Sequence, residues 1–329
     1  MKEYRKFLRN ILIMFISAFI LIPAIFIFIG YSFIGKNIYS KGARNIQYWI
    51  DVKNQRADEL TQKGNKIIFL AGSNLLHGLD SKYAEQVTGL PVLNYGLHAA
   101  FGPYALEMGK KIAKPGDIVI IPLEFTYYTE TSSINHQSPY MEYLISYLPD
   151  EFYKADLYEK FIISLFLVQH WIVKPTFNYE KNSSTKDFEN QLNEYGDYID
   201  HSGTTEKFLK LVDGHKIAQK IPDDCSKYPV YNFIQFCKEN NITLYAMMPN
   251  YYHTENFSDE EKTAFEKIKS FYEQNGVEFI GDIKSGSYPE KTMFYDTGYH
   301  TNETGTKVRT DWIIENVLSI PEIKNINKN

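Results

Sequence analysis

The residues of this chain best suited to chemistry are a serine, an aspartate and a histidine. Ser73 lies in the stretch 66–80, KIIFLAGSNLLHGLD, where the apolar run Ile67, Ile68, Phe69, Leu70 passes into Ala71, Gly72, Ser73 and Asn74. Asp296 and His300 stand four apart in the turn-rich stretch 294–305, FYDTGYHTNETG. A serine hydroxyl is a poor nucleophile at neutral pH. It needs an imidazole to take its proton and an acceptor to orient that imidazole. Ser73, Asp296 and His300 can supply these parts in the chain order Ser, Asp, His, which is the composition of a site for covalent catalysis. Each residue also has a plainer use: Ser73 as the cap of a helix starting near Leu75, Asp296 and His300 as loop residues capping the last helix.

Other residues fall near these two stretches. His77 and His98 stand beside glycine turns and could line the same site, although structural histidines of this kind are commoner. Glu124 follows a strand and could position a substrate hydroxyl, or could cap or face solvent. No CxxC pair or HExxH helix occurs, so no metal site and no cofactor are expected. Cys225 and Cys237, the two cysteines, would sit roughly 18 Å apart along a helix axis, too far for a disulfide, and neither is expected to be catalytic.

The elements that must position the triad follow from hydropathy patterning. The apolar run ahead of Ser73 fits a short buried strand that Gly72 bends sharply, lifting Ser73 to its carboxyl edge. Pro91-Val92-Leu93 leads into Asn94-Tyr95-Gly96, a helical pattern covers about Tyr104 to Ala113, and Asp117 to Pro122 (DIVIIP) is the clearest strand. After an interruption the rhythm resumes: a helix near 229–239, a strand Thr243 to Met248, a helix near 259–274, a strand Val277 to Ile280, and a final helix of about Gly305 to Leu318. Strands alternating with helices predict an α/β fold with a parallel sheet covered on both faces. Residues 126–225, rich in Tyr, Phe, Asn and Ser, read as an insertion beside the site, with helical patches near 140–170 and polar, poorly patterned sequence near 180–205.

The amino terminus is of another kind. Lys2, Arg5, Lys6 and Arg9 precede Ile11 to Phe33, which holds no charged residue and one proline, Pro23. That length suits a transmembrane helix. It is too long for a typical signal-peptide core, and no clear small-residue cleavage site follows, so an uncleaved anchor is expected. The denser basic cluster before the span puts the amino terminus in the cytoplasm and the rest outside the cell membrane, as a single-pass protein. The expected organisation is a cytoplasmic stub and anchor (1–35), a connecting helix (36–65) and an exported domain (66–329). A formal net charge of -5, with no basic stripe beyond the first residues, argues against nucleic-acid binding.

AGSN after a first strand, NYG after a second, and an Asp-x-x-x-His turn before the last helix resemble the SGNH/GDSL hydrolase family. With the amino-terminal anchor and the aromatic insertion, the chain looks most like its membrane-anchored, exported branch, which includes the DltD protein of teichoic-acid D-alanylation and the alginate O-acetylation proteins. The resemblance implies an SGNH-like, flavodoxin-like fold. It implies Ser73 as nucleophile, His300 as general base and Asp296 as its orienting acid. The oxyanion hole would use the Ser73 N–H and Gly96 N–H. Two departures stand out. Where the family has an asparagine after its third strand, this chain has Pro122-Leu123-Glu124-Phe125; ionised Glu124 cannot donate, which leaves Asn74 as a further oxyanion donor. The Asp–His spacing is one residue longer than usual.

The activity implied is acyl transfer on a cell-envelope polysaccharide through a seryl ester, as an O-acyltransferase or accessory D-alanyl or acetyl transfer protein, with a multispanning membrane protein delivering the acyl group. The alternatives are a carbohydrate esterase and a catalytically inactive glycan-binding or assembly protein.

Overall fold

A computed structural model describes residues 2–34, 40–129, 138–170, 191–210, 221–253 and 256–327. Every residue of β1 (Ile67–Ala71), β2 (Val92–Gly96) and β3 (Ile118–Ile121) is buried. Strands covered on both faces read as continuous apolar runs, which is why the sequence shows them as IIFLA and IVII rather than as alternation. With β4 (Thr243–Met247) and β6 (Glu278–Ile280) they form a five-stranded sheet in the order β2-β1-β3-β4-β6, parallel throughout. Ile67 pairs with Val92 on one side and Ile118 on the other, and Ala71 pairs with Gly96. This is the strand order of a doubly wound sheet. Its winding reverses between β1 and β3, so the loops leaving those strands diverge and open a crevice at their carboxyl ends.

The helices that follow the strands flank the sheet: α4 (Ser81–Thr88), α5 (Tyr104–Ile112), α10 (Pro229–Glu239), α11 (Asp259–Gln274) and α12 (Glu303–Asn316). α11 starts on a capping box between Ser258 and Glu261, which satisfies two backbone donors at once. α12 starts on Asn302, whose side chain accepts from the N–H groups of Thr304 and Gly305. That puts its start two residues ahead of the Gly305 expected from pattern. α12 is docked by buried Arg309, whose Nη1 and Nη2 each donate at 2.6 Å, to the carbonyls of Ser285 and Met248. Four-residue α3 (Ser73–Leu76), α9 (Glu206–Leu209) and α13 (Pro321–Lys324), and a two-stranded sheet of β5 (Tyr251–Tyr252) and β7 (Ser287–Tyr288), complete this part. α4, β5 and β7 had no separate sequence signal.

The chain divides into two compact units, Tyr48–Asn135 with Lys186–Asn329, which holds the sheet, and Met1–Gln47 with His136–Thr185. The second unit contains α1 (Lys2–Phe33), α6 (Ser138–Tyr147), α7 (Pro149–Lys154) and α8 (Leu157–Val168). α1 has a mean hydropathy of 3.0 over its most apolar window, and none of that window is buried; it is long and apolar enough to span a membrane. α2 (Lys41–Lys63) makes most of the stretch expected as a connecting helix helical; residues 36–39 of that stretch lie outside the described residues, as do 180–190 of the poorly patterned stretch. The interrupting segment 126–225 is thus shared: of its described residues, 138–170 group with α1, while 126–129 and those from 191 on group with the sheet.

Candidate active site

Ser73 is the first residue of α3, immediately beyond the carboxyl end of β1. The loop on which it stands is held by Glu124, which follows β3 across the crevice. The buried Glu124 carboxylate accepts from Gly72 N–H at 3.3 Å and from Asn74 N–H at 3.0 Å, the residues either side of Ser73. Glycine at position 72 leaves room for this carboxylate, because a Cβ there would fall 2.5 Å from Glu124 Oε1. Burial pushes the Glu124 carboxyl above its ordinary value, opposed by those two N–H bonds and by nearby His300. Asn74 Nδ2 donates to Pro122 O at 2.8 Å, tying the same loop to the end of β3. Among the described residues, the Ser73 hydroxyl and the Ser73 N–H have no hydrogen-bond partner.

The second half of the site is a closed turn. Phe294 and Thr301 form an antiparallel bridge, and Tyr295 N–H donates to His300 O at 2.8 Å. Thr297 Oγ1 accepts from the N–H groups of Tyr299 and His300 at 3.2 Å each. Folded back in this way, a four-residue spacing brings His300 Nδ1 to 2.7 Å from Asp296 Oδ1. The carboxylate can only accept, so Nδ1 carries the proton and Nε2 is left as the basic nitrogen. The bond from His300 holds the Asp296 carboxyl below its ordinary value.

The two halves are joined by hydroxyls. Thr301 Oγ1 and Thr306 Oγ1 both donate to His77 O at 2.6 Å, pinning the end of α3 to the His300 turn. Asn250, after β4, donates to Tyr299 O at 2.8 Å. The His77 ring lies flat on that of His300, with centroids 4.1 Å apart and planes at 11°. Tyr198 and His201 approach the same ring at 4.4 and 5.5 Å. Burial, and then the charges of His300, His201, His98 and Lys53, hold His77 well below the ordinary histidine value. It is therefore a neutral platform. Half-buried His98 accepts at Nδ1 from Ala100 N–H at 3.0 Å, and burial followed by the His300 charge lowers its pKa. No hydrogen bond joins Ser73 to His300; the pair share one neighbourhood through Glu124 and His77.

Two expected oxyanion donors have other uses. Gly96 N–H donates to Asn94 Oδ1 at 3.0 Å, so it is already engaged. What position 96 requires is the missing side chain: a Cβ would fall 2.3 Å from Leu76 N, inside α3. The N–H of Asn74 is taken by Glu124 and its amide nitrogen bonds Pro122 O. The Ser73 N–H is the expected donor that remains uncommitted.

Sequence reasoning did not single out the buried layer behind the site. Asn94 Nδ2 donates to Leu79 O at 3.0 Å and to Asp197 Oδ1 at 3.2 Å. Asp197 also accepts from Ser81 Oγ at 2.7 Å. Fully buried Lys53 donates to Asn94 O at 2.8 Å and Gly196 O at 2.5 Å, and burial lowers its pKa to about 7 against the pull of Asp197. Beside this layer a cleft of about 350 Å³ is lined by Asp80, Tyr83, Tyr198, His201, Glu303 and Lys307, among others. Cys225 and Cys237 are both free and buried, with thiols pushed up to about 11 and about 12.

Chemically, the site offers an unbonded hydroxyl at a helix start, a histidine with its proton fixed on the far nitrogen, and one free backbone N–H. Among the described residues no group of three or more His, Cys, Asp or Glu could hold a metal ion. Compared with known families, with curated proteins and with solved structures, the chain matches none.

Proposed function

We propose that this is a membrane-anchored, SGNH-type protein that transfers an acyl group to a cell-envelope polysaccharide through an ester on Ser73. The observation that carries the proposal is the oriented His300–Asp296 pair latched by Thr301 and Thr306 to the helix that Ser73 begins. In the first half-reaction Ser73 Oγ attacks the acyl carbonyl, His300 Nε2 takes the hydroxyl proton, and that proton leaves with the departing group. A sugar hydroxyl then attacks the ester, His300 accepting its proton and returning it to Ser73. Asp296 stabilises the imidazolium, and the Ser73 N–H faces the developing oxyanion. The Ser73–His300 hydrogen bond would form when substrate binds, since catalytic hydrogen bonds are often long in free enzymes.

The cleft beside His77 suits a glycan. Tyr83 and Tyr198 stand in its wall, while the carboxylates of Asp80 and Glu303 can accept from sugar hydroxyls. α1 supplies the anchor, with the remainder outside the cell, where a multispanning partner would deliver the acyl group. A second reading, a glycan-binding protein without catalysis, draws on the engagement of Gly96 and Asn74 by other groups.

The test is incubation of the full chain with 4-nitrophenyl acetate and an envelope oligosaccharide, reading acetyl on Ser73 and on the glycan by mass spectrometry. Acetylated glycan that disappears in Ser73→Ala is the expected result. Acetate release unaffected by glycan identifies an esterase. Glycan binding that survives Ser73→Ala with no adduct in the wild type refutes catalysis.

A further inference from the structure

α8 has no continuous polar side. After Glu159 and Lys160 it runs through residues 161–168, FIISLFLV, without a charge. A helix apolar all round belongs in a protein core or in lipid. Ile163, Ser164 and Leu167 are buried, yet Leu157 is 74% exposed, Tyr158 65%, Tyr153 47% and Leu165 39%. Tyr153 and Leu157 sit four residues apart and Tyr158 and Leu165 seven, and among the described residues they leave a face of α7 and α8 uncovered.

What lies on the other side of α8 is α1. Phe26 meets Phe161 edge-on at 5.8 Å, and Gly30 is so close that a Cβ there would fall 2.1 Å from Ser164 Oγ. Small residues that let two backbones approach are how helices associate within a bilayer. Tyr31 packs on Phe152 at 5.2 Å and stacks on Tyr153 at 5.8 Å, with Lys160 Nζ 5.8 Å from the Tyr31 ring. Tyrosines with a lysine reaching over them are the signature of the membrane–water boundary. Phe26 precedes Phe33, the last residue of α1, by about 10 Å at 1.5 Å per residue. Because the hydrocarbon layer is about 30 Å thick, Phe161 lies below the boundary that Tyr31 marks.

We propose that α8 is embedded in the lipid leaflet surrounding the carboxyl-terminal half of α1, with α7 at the boundary that Tyr31 marks and with Leu157, Tyr158 and Leu165 against phospholipid. The proposal rests on α1 spanning the bilayer. It makes the aromatic insertion a second membrane contact, monotopic rather than spanning, that fixes α1 against its own unit.

The experiment places a nitroxide label at Leu165→Cys, Tyr158→Cys, Phe19→Cys and Val308→Cys in the full chain, the first three positions being exposed on α8 and α1 and the last on α12. The native cysteines are buried, and the unsubstituted protein serves as the blank. The chain is set in nanodiscs of equal parts phosphatidylcholine and phosphatidylglycerol, and relaxation by oxygen is compared with relaxation by a water-soluble nickel chelate. Oxygen dominating several-fold at Leu165, Tyr158 and Phe19, with nickel dominating at Val308, is the result expected. Oxygen at Phe19 but nickel at Leu165 and Tyr158 overturns the proposal and leaves the anchor standing. Nickel at Phe19 removes the anchor, and the proposal with it.

Discussion

Gly72→Ala drives a methyl group into the carboxylate that holds the Ser73 loop. The added Cβ falls 2.5 Å from Glu124 Oε1 and 2.7 Å from Oε2, closer than non-bonded atoms approach, so the carboxylate must leave. Its departure breaks the bonds from Gly72 N–H and Asn74 N–H, at 3.3 and 3.0 Å. Hydrogen bonds to a charged group are worth about 1.5–3 kcal/mol each. Taking the lower figure for both gives an expected loss of about 3 kcal/mol. The φ of Gly72 is -85°, outside the left-handed region. Glu124→Ala removes the same two acceptors, partly offset by relief of a buried carboxylate. In the Glu124→Ala background, Gly72→Ala should then cost less than about 0.5 kcal/mol, a coupling of about 3 kcal/mol between the two positions. The assay is urea unfolding of the full chain in mild detergent, followed by tryptophan fluorescence. Additive effects of the two substitutions would refute the clamp.

Three further outcomes follow from the same geometry. Asp296→Asn removes the acceptor that orients His300, so reaction at Ser73 should fall by about 10²–10⁴-fold, while unfolding shifts little because the Asp296 side chain is 43% exposed; unchanged reactivity contradicts the assigned role. The unfolded chain takes a proton on His77 near pH 6.5, the native state only well below it. Stability from neutral His77 is therefore present above pH 6.5 and drains away as the pH falls. His77→Phe, which keeps a flat ring on His300, should flatten the acid limb of a melting-temperature profile, and equal slopes count against it. Lys53 titrates near about 7 in the native state instead of 10.5, so between those values the unfolded chain holds the extra proton and stability rises with pH. Lys53→Met should lower stability overall, since two buried carbonyls lose their donor, and abolish that rise; a slope that persists assigns it elsewhere.

What was legible in the sequence was what repeats at short range. Unbroken apolar runs marked β1 and β3, and the apolar periodicity of 229–239 and 259–274 marked α10 and α11, because burial of one face dictates residue type every three or four positions. Asp296 and His300 could be paired because the partners lie in one turn. The layer behind the site was not legible. Lys53, Asn94 and Asp197 come from three separate segments, one inside a poorly patterned stretch, and only the fold brings them to hydrogen-bond distance. His201 and Tyr198 were hidden for the same reason. Gly96 shows the limit of a motif: sequence cannot say whether a glycine is there for its N–H or for its missing side chain, and here its N–H belongs to Asn94 while its missing side chain admits α3.

In the proposed mechanism the His300–Asp296 pair activates the Ser73 hydroxyl. The most direct measurement is labelling of the full chain with a serine-reactive fluorophosphonate, wild type beside Ser73→Ala and His300→Ala, with the modified peptide mapped by mass spectrometry. A single adduct on Ser73, absent from both variants, is the expected result. A wild-type protein that takes up no label, or one whose labelling survives His300→Ala, would contradict it.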